Sequence, residues 1–118
     1  MDTMTKITDT AIALSKFEEA AIKHSEATQQ GDYKMANSAY AILRKIYAFL
    51  KEQSDIQMLS QFLDHPSTGV RLWAATYLLP VSESEGLKVL RQITKEPGIH
   101  SLTAKTTVDE WLKGALKL

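Results

Sequence analysis

Apolar residues recur three and four positions apart along most of the chain, and strict apolar-polar alternation is absent, so the pattern predicts an all-α protein. A first helix is expected over residues 8–30, with Thr8 or Asp9 as N-cap and Gly31 as the residue that ends it. Its apolar stripe is Leu14, Phe17 and Ala21, with His24 next in phase. A second helix begins near Asp32 and carries two adjacent stripes. One is Tyr33, Ala36, Tyr40, Leu43, Tyr47 and Leu50; the other is Met35, Ala39, Ile42, Ile46 and Phe49. A face this wide asks for cover on two sides, so this helix is expected at the centre, between its N-terminal neighbour and later helices.

Ser54 is the expected cap of a short third helix over 55–63, which must stop before Pro66 because proline lacks the N–H and constrains the residue before it. Ser67 or Thr68 then caps a fourth helix, 69–79, apolar almost all round and ended by Pro80. Ser82 opens a fifth that runs to about residue 95, with Glu83 and Glu85 where the helix dipole favours anions. Pro97 and Gly98 break it, and Ser101 begins a sixth with Ala104, Val108, Trp111 and Ala115 on one face. Turns this short leave little room for a linker or a second domain, so residues 1–118 are expected to form a single domain.

The second half repeats itself. "LSQFLDHPSTGVRLWAA", from Leu59, can be laid on "LRQITKEPGIHSLTAKT", from Leu90: Leu59 meets Leu90, Phe62 meets Ile93 and Pro66 meets Pro97, after which one extra residue brings Val70 onto Leu102. Two helical hairpins are expected to stack. The run Leu59, Phe62, Leu63, Asp64, then Val70-Arg71 and Ala74-Ala75 resembles a HEAT repeat, in which small alanines let the second helix approach its neighbour and Asp and Arg tie turns together. The implied architecture is a short HEAT-like α-solenoid of about six helices in stacked hairpins.

Composition narrows the field of functions. The chain has no cysteine, which removes disulfides, thiolate zinc sites and cysteine nucleophiles and fits a reducing cytoplasm. Its start, MDTMTKITDTAIALSK, lacks a basic region followed by an apolar core, and nowhere do about 18 apolar residues run together. Neither a leader nor a membrane contact is expected, and the protein is read as cytoplasmic. With 14 basic and 14 acidic residues, balanced in both halves and with only three arginines, the chain has no overall field to steer it onto nucleic acid.

No cluster specifies a reaction. His24, His65 and His100 are not spaced as ligands on one helix face, so no metal or other cofactor is expected. Glu18 and Glu19, Glu83 and Glu85, and Asp109 and Glu110 are close in sequence, but residues one or two apart on a helix point apart, and solvated faces account for them. There is no phosphate-binding glycine loop after a strand and no serine elbow. Trp73, Tyr77 and Trp111 read first as core between repeats, Tyr33, Tyr40 and Tyr47 as core rather than a dimer seam, and Arg71 as a tie to Asp64.

A broader resemblance covers most of the chain. The order Phe17, Ala21, His24, Gly31-Asp32, Asn37, Tyr40, followed by "LDHPSTGVRLWAATYLLP" and "LTAKTTVDEWLKGAL", resembles the bacterial domain-of-unknown-function family numbered 2019, a small HEAT-like helical family. The Val70–Ala75 segment, Glu110-Trp111 and Gly114 carry the likeness. That family has no established catalytic residues to transfer. Its members resemble small helical proteins encoded beside secreted bacterial toxins, so the resemblance implies an immunity protein that neutralises a cognate toxin domain by stoichiometric binding, not an enzyme. A scaffold or homo-oligomeric assembly protein is the alternative, and a HEAT-like enzyme acting on nucleic acid comes third, for want of a basic groove. Inhibitors of basic, nucleic-acid-attacking toxins are expected to be acidic, whereas this chain is neutral. The residues expected to meet a partner are Asn37 and Arg44, Arg71 and Trp73, and Asp109 and Glu110.

Overall fold

The computed structural model describes residues 9–118, and the described residues are helical with no strand among them. Helix α1 spans Thr10–Gln30 and α2 spans Tyr33–Glu52. The Asp9 carboxylate accepts from the Ile12 N–H at 2.8 Å, closing the first turn of α1, while the alternative cap Thr8 lies outside the described residues. At the other end Gly31 takes φ 74°, a left-handed conformation that glycine adopts without a Cβ clash. Its N–H and that of Asp32 then satisfy the carbonyls of Thr28 and Ala27. Asp32 turns at once into the cap of α2, accepting from the Met35 N–H at 3.1 Å. One residue thus ends the first helix and the next starts the second, which folds the pair into a hairpin.

The hairpin buries Ala13, Leu14, Phe17, Ala20 and Ala21 of α1 and Ala36, Ala39, Leu43, Ile46, Tyr47 and Leu50 of α2. At its open end the Thr10 hydroxyl donates to the Asp55 carboxylate at 2.5 Å. The two-sided cover expected for α2 is not found along its first half. Only the central stripe is buried, and Tyr33 and Tyr40 on one flank and Met35 and Ile42 on the other are exposed, Tyr33 at 78% and Met35 at 51%. Of the three tyrosines expected in the core, Tyr47 alone is there. A single helical neighbour covers one stripe, and residues in the flanking rows stay outside it.

Ser54 does not cap a third helix. It takes φ 58° and closes α2 in the same way as Gly31 closes α1, with its N–H on the Lys51 carbonyl and the Asp55 N–H on Leu50. The next element is a 3₁₀ helix, Ile56–Phe62, rather than an α-helix. Its buried residues Ile56, Leu59 and Phe62 fall three apart, the spacing that lines one side of a three-residue turn.

Helices α3 (Thr68–Leu78), α4 (Glu83–Ile93) and α5 (His100–Leu112) complete the chain. Ser67 caps α3, accepting from the Val70 N–H at 3.4 Å. Ser82 precedes α4 and its hydroxyl donates to the Glu85 carboxylate at 2.8 Å instead of capping the backbone. Ser101, expected to begin the last helix, donates to the Gly98 carbonyl, and α5 starts one residue earlier without a side-chain cap. Leu72, Ala75, Leu79, Val89, Leu90, Ile93, Ala104 and Val108 form one core, with Leu63, Leu87, Trp111 and Leu116 at its rim. At Gly86 α4 lies close to α3, and a Cβ there would sit 2.7 Å from the Ala75 carbonyl oxygen. Ala115 falls beyond the end of α5 and is exposed, so it does not continue the helix face of Ala104 and Val108.

Along the expected internal repeat, burial matches up to the proline and diverges after it, while Leu59 lies in a 3₁₀ helix and its counterpart Leu90 in an α-helix. Leu59 and Leu90 are fully buried, and Phe62 and Ile93 are buried too, but Val70 is fully buried where its counterpart Leu102 is 69% exposed. The chain divides into two packing units, Met1–Met58 and Leu59–Leu118.

Candidate functional site

Arg71 sits one turn into α3 with most of its side chain buried, and every one of its nitrogens is engaged. Nε donates to the His65 carbonyl at 2.9 Å, Nη1 to Glu96 Oε2 at 2.8 Å, and Nη2 to the Thr68 hydroxyl at 2.9 Å and Glu96 Oε1 at 3.4 Å. The planar guanidinium suits this two-point grip on a carboxylate. It ties the turn before α3 to the turn before α5. The expected tie is therefore real but its partner is Glu96, not the exposed Asp64. Thr68 also donates to Glu96 at 3.3 Å, and His65 Nδ1 accepts from the Ser67 N–H at 2.9 Å.

Electrostatics follow from that geometry. Hydrogen bonding from Arg71 holds the Glu96 carboxyl below the usual carboxylate range against the opposing effect of partial burial, with the Arg71 charge and Thr68 adding to the lowering. His100, the first residue of α5, is pushed down chiefly by burial and then by the Arg71 charge, while Glu96 pulls the other way. A network whose donors and acceptors satisfy one another braces turns. Among the described residues no group of three or more His, Asp or Glu could hold a metal ion, and no buried side-chain polar atom lacks a partner.

The aromatic residues divide. Tyr77 is buried, as expected of core, and half-buried Trp73 stacks on it with ring centroids 5.8 Å apart. Trp111 sits at the rim of the core and its Nε1 donates to Glu83 Oε2 at 2.6 Å, joining α5 to the first turn of α4. Asp109 and Glu110 are exposed on α5, Asp109 paired with Lys105 at 3.1 Å. Asn37 and Arg44 are exposed on α2, in the row that also carries Tyr33 and Tyr40.

Of the six residues expected to meet a partner, only Asn37 and Arg44 share a surface row with exposed aromatics. Arg71 and Trp73, two apart in α3, point about 200° apart at about 100° per residue, and Arg71 is committed to Glu96. Tyr33 and Tyr40 are the surface residues that the pattern placed in the core. The signal that would have found them is the width of the α2 face, which exceeds what one neighbour covers. A shallow open depression on α1, lined by Ser15, Glu18, Glu19, Ile22, Lys23 and Glu26, has no enclosed volume to seat a small molecule.

These features define an all-helical protein with a braced three-helix unit and an exposed aromatic row on its N-terminal hairpin. Its fold matches the crystal structure of the protein RPA1889 from Rhodopseudomonas palustris CGA009, with a TM-score of 0.86 and 19% identity over 100% of this chain and 98% of that one. At that identity the likeness establishes a shared fold and carries no function. No protein-family model and no curated protein sequence matches the chain. Among the described residues no helix is long and apolar enough to cross a membrane.

Proposed function

We propose that this protein is a non-catalytic binding module for another protein, and most concretely a cytoplasmic immunity protein that neutralises a cognate bacterial toxin domain. The observation that carries the binding reading is the exposed row on α2, where Tyr33, Asn37, Tyr40 and Arg44 follow one another at helical spacing. Tyrosine and arginine supply much of the energy of protein interfaces, and here the Tyr33 ring is largely in solvent with Asn37 and Arg44 following it on the same row. The immunity assignment rests on the resemblance to the family numbered 2019. The HEAT-like reading of the second unit belongs to the same proposal, supported by the matched burial of Leu59 with Leu90 and Phe62 with Ile93.

Asp109 and Glu110, exposed, and Trp73, half-buried, remain candidate contacts, and Arg71 acts through the bracing of its turn. The test is co-expression with the variable C-terminal domain of a secreted protein encoded immediately upstream, the toxin this reading requires, followed by size-exclusion chromatography and a growth assay. A one-to-one complex and restored growth are expected. Neither complex nor rescue removes the immunity reading and promotes the scaffold, for which the exposed row is an equally suitable contact between copies.

A further inference from the structure

From the charges that flank the aromatic row, we infer that α2 docks on an acidic, partly apolar protein surface, an inference that rests on the binding reading above and adds the partner's chemistry. Between Tyr33 and Lys51 every charged residue of α2 is basic: Lys34, Arg44, Lys45 and Lys51, all exposed, with Glu52 at the last position the one carboxylate. In a chain of net charge zero this is a local concentration of one sign. Tyr33, Asn37, Tyr40, Arg44 and Lys51 share one flank of the helix, a strip about 27 Å long at about 1.5 Å per residue. The tyrosines occupy its first half and the cations its second. Met35 and Ile42 add exposed apolar surface on the other flank.

This arrangement selects among partners. Aromatic anchors beside cations fit a surface that offers apolar recesses for the rings and carboxylates for Arg44 and Lys51. The positive field speeds encounter with an acidic patch and opposes a basic one. The consequence for the toxin is definite: α2 does not plug a basic, phosphate-binding cleft, since like charges would then face each other. A partner that acts on nucleic acid is held at an acidic surface outside its substrate groove. Nucleic acid itself is the other anionic occupant, and the chain's neutral net charge, with only Arg44 and Lys51 as cations on this strip, favours protein.

Three labelled probes decide between these: an amphipathic helical peptide of about 18 residues with a leucine stripe flanked by glutamates, the same peptide with lysines in place of the glutamates, and a single-stranded DNA of about 20 nucleotides. Amide chemical shifts of the full chain are followed during titration with each. The glutamate peptide is expected to bind saturably with shifts along Tyr33–Lys51, to weaken as salt rises from about 50 to about 300 mM, and to lose about tenfold in affinity to the double variant Arg44→Glu, Lys51→Glu. That variant, whose positions are exposed, should keep its helical circular dichroism and gain affinity for the lysine peptide. Equal binding of both peptides, binding of DNA alone, concentration-dependent self-association through α2, or no saturable shift on α2 overturns the inference. Where the toxin complex forms, retention of full affinity by the double variant overturns it too and leaves the immunity reading standing. Binding of the glutamate peptide without any toxin complex does the reverse.

Discussion

The N-terminal hairpin and the C-terminal three-helix unit use the same material, short helices packed on alanines and leucines, to opposite ends. In the C-terminal unit the polar side chains near the core are turned inward on one another: Arg71 holds Glu96, Thr68 and a backbone carbonyl, and Trp111 holds Glu83. These contacts join residues 25 and 28 positions apart and fix three helices in one arrangement. In the hairpin, Asp9, Asp32 and the Thr10–Asp55 bond secure the ends, and Tyr33, Met35, Tyr40 and Ile42 on the flanks of α2's first half are exposed. One unit is braced by its own side chains, and the other leaves one flank of α2 exposed, the surface proposed above for a partner. Substitutions should therefore have large effects on folding in the first case and small ones along the exposed row in the second.

The largest effect is expected at Ala74, which is fully buried in α3. Ala74→Glu forces a carboxylate into that space without a partner and should destabilise by about 3 kcal/mol or more. A thermal melt reads the loss directly, and an unchanged midpoint would place that helix face in solvent. Next is Arg71→Ala, which strips Glu96 of its counter-ion and leaves the His65 carbonyl without its donor; about 2 kcal/mol should be lost, as measured by urea unfolding. Arg71→Lys should recover only part of this, because an ammonium cannot grip both carboxylate oxygens and the carbonyl together.

Gly86→Ala comes third, with a smaller net effect. An added Cβ would meet the Ala75 carbonyl oxygen at 2.7 Å and the Leu79 side chain at 2.9 Å, so α4 must move off α3. Overpacking of this kind costs about 1–3 kcal/mol, and the better helix propensity of alanine returns up to about 1 kcal/mol of it. A melting point lowered by a few degrees is the expected result, and a raised one would show that the two helices separate without strain.

Acid should loosen the same unit in two stages. His100 has a folded pKa below its ordinary value, so the folded state binds fewer protons than the unfolded one and stability falls as pH drops from about 7 through about 6.5 toward the folded pKa. Glu96 is also lowered, so its contribution is present above the ordinary glutamate value and is lost as pH falls through its folded pKa. Melting curves between neutral and acid pH should show His100→Gln removing the upper part of the decline and Glu96→Gln the lower part. A decline that both variants leave unchanged would assign the acid sensitivity elsewhere.

How far these contrasts could be read in advance depends on whether the relevant contact is local. The helix ends at Gly31, Asp32 and Ser67 were legible because a cap involves neighbours a few residues away. Ser54 misled because serine is a good N-cap in general, while here the preceding helix needed a left-handed residue to close it. The Arg71 tie was legible as a type of contact and illegible as a pair, since Asp64 stands nearby in sequence and Glu96 comes close only through the fold. The match of Val70 to Leu102 assumed that the second helix of each hairpin keeps its rotation, yet α5 buries Ala104 and Val108 and turns Leu102 outward. Of the candidate site, Asn37 and Arg44 were legible as the polar edge of an amphipathic helix. Tyr33 and Tyr40 were not, because an aromatic residue in phase with a buried stripe reads as buried until the number of covering helices is known.

The smallest effect is expected at the start of the exposed row on α2. Tyr33 is the first residue of α2 and is 78% exposed, so its ring adds little to folding, and its substitution removes neither a cap nor core volume. Tyr33→Ser should change unfolding free energy by no more than about 0.5 kcal/mol, within the range of ordinary surface changes. Asp32, which caps the helix just before it, provides the contrast on the same turn: Asp32→Ala removes the acceptor for the Met35 N–H and should cost about 1 kcal/mol. If Tyr33→Ser instead destabilises as much as Asp32→Ala, the tyrosine is part of the hairpin's own packing and the distinction between braced unit and exposed row fails at the residue on which it most depends. If it leaves stability unchanged and weakens the glutamate peptide, the ring is kept at the surface for a partner, and the row from Tyr33 to Arg44 is defined by what it binds.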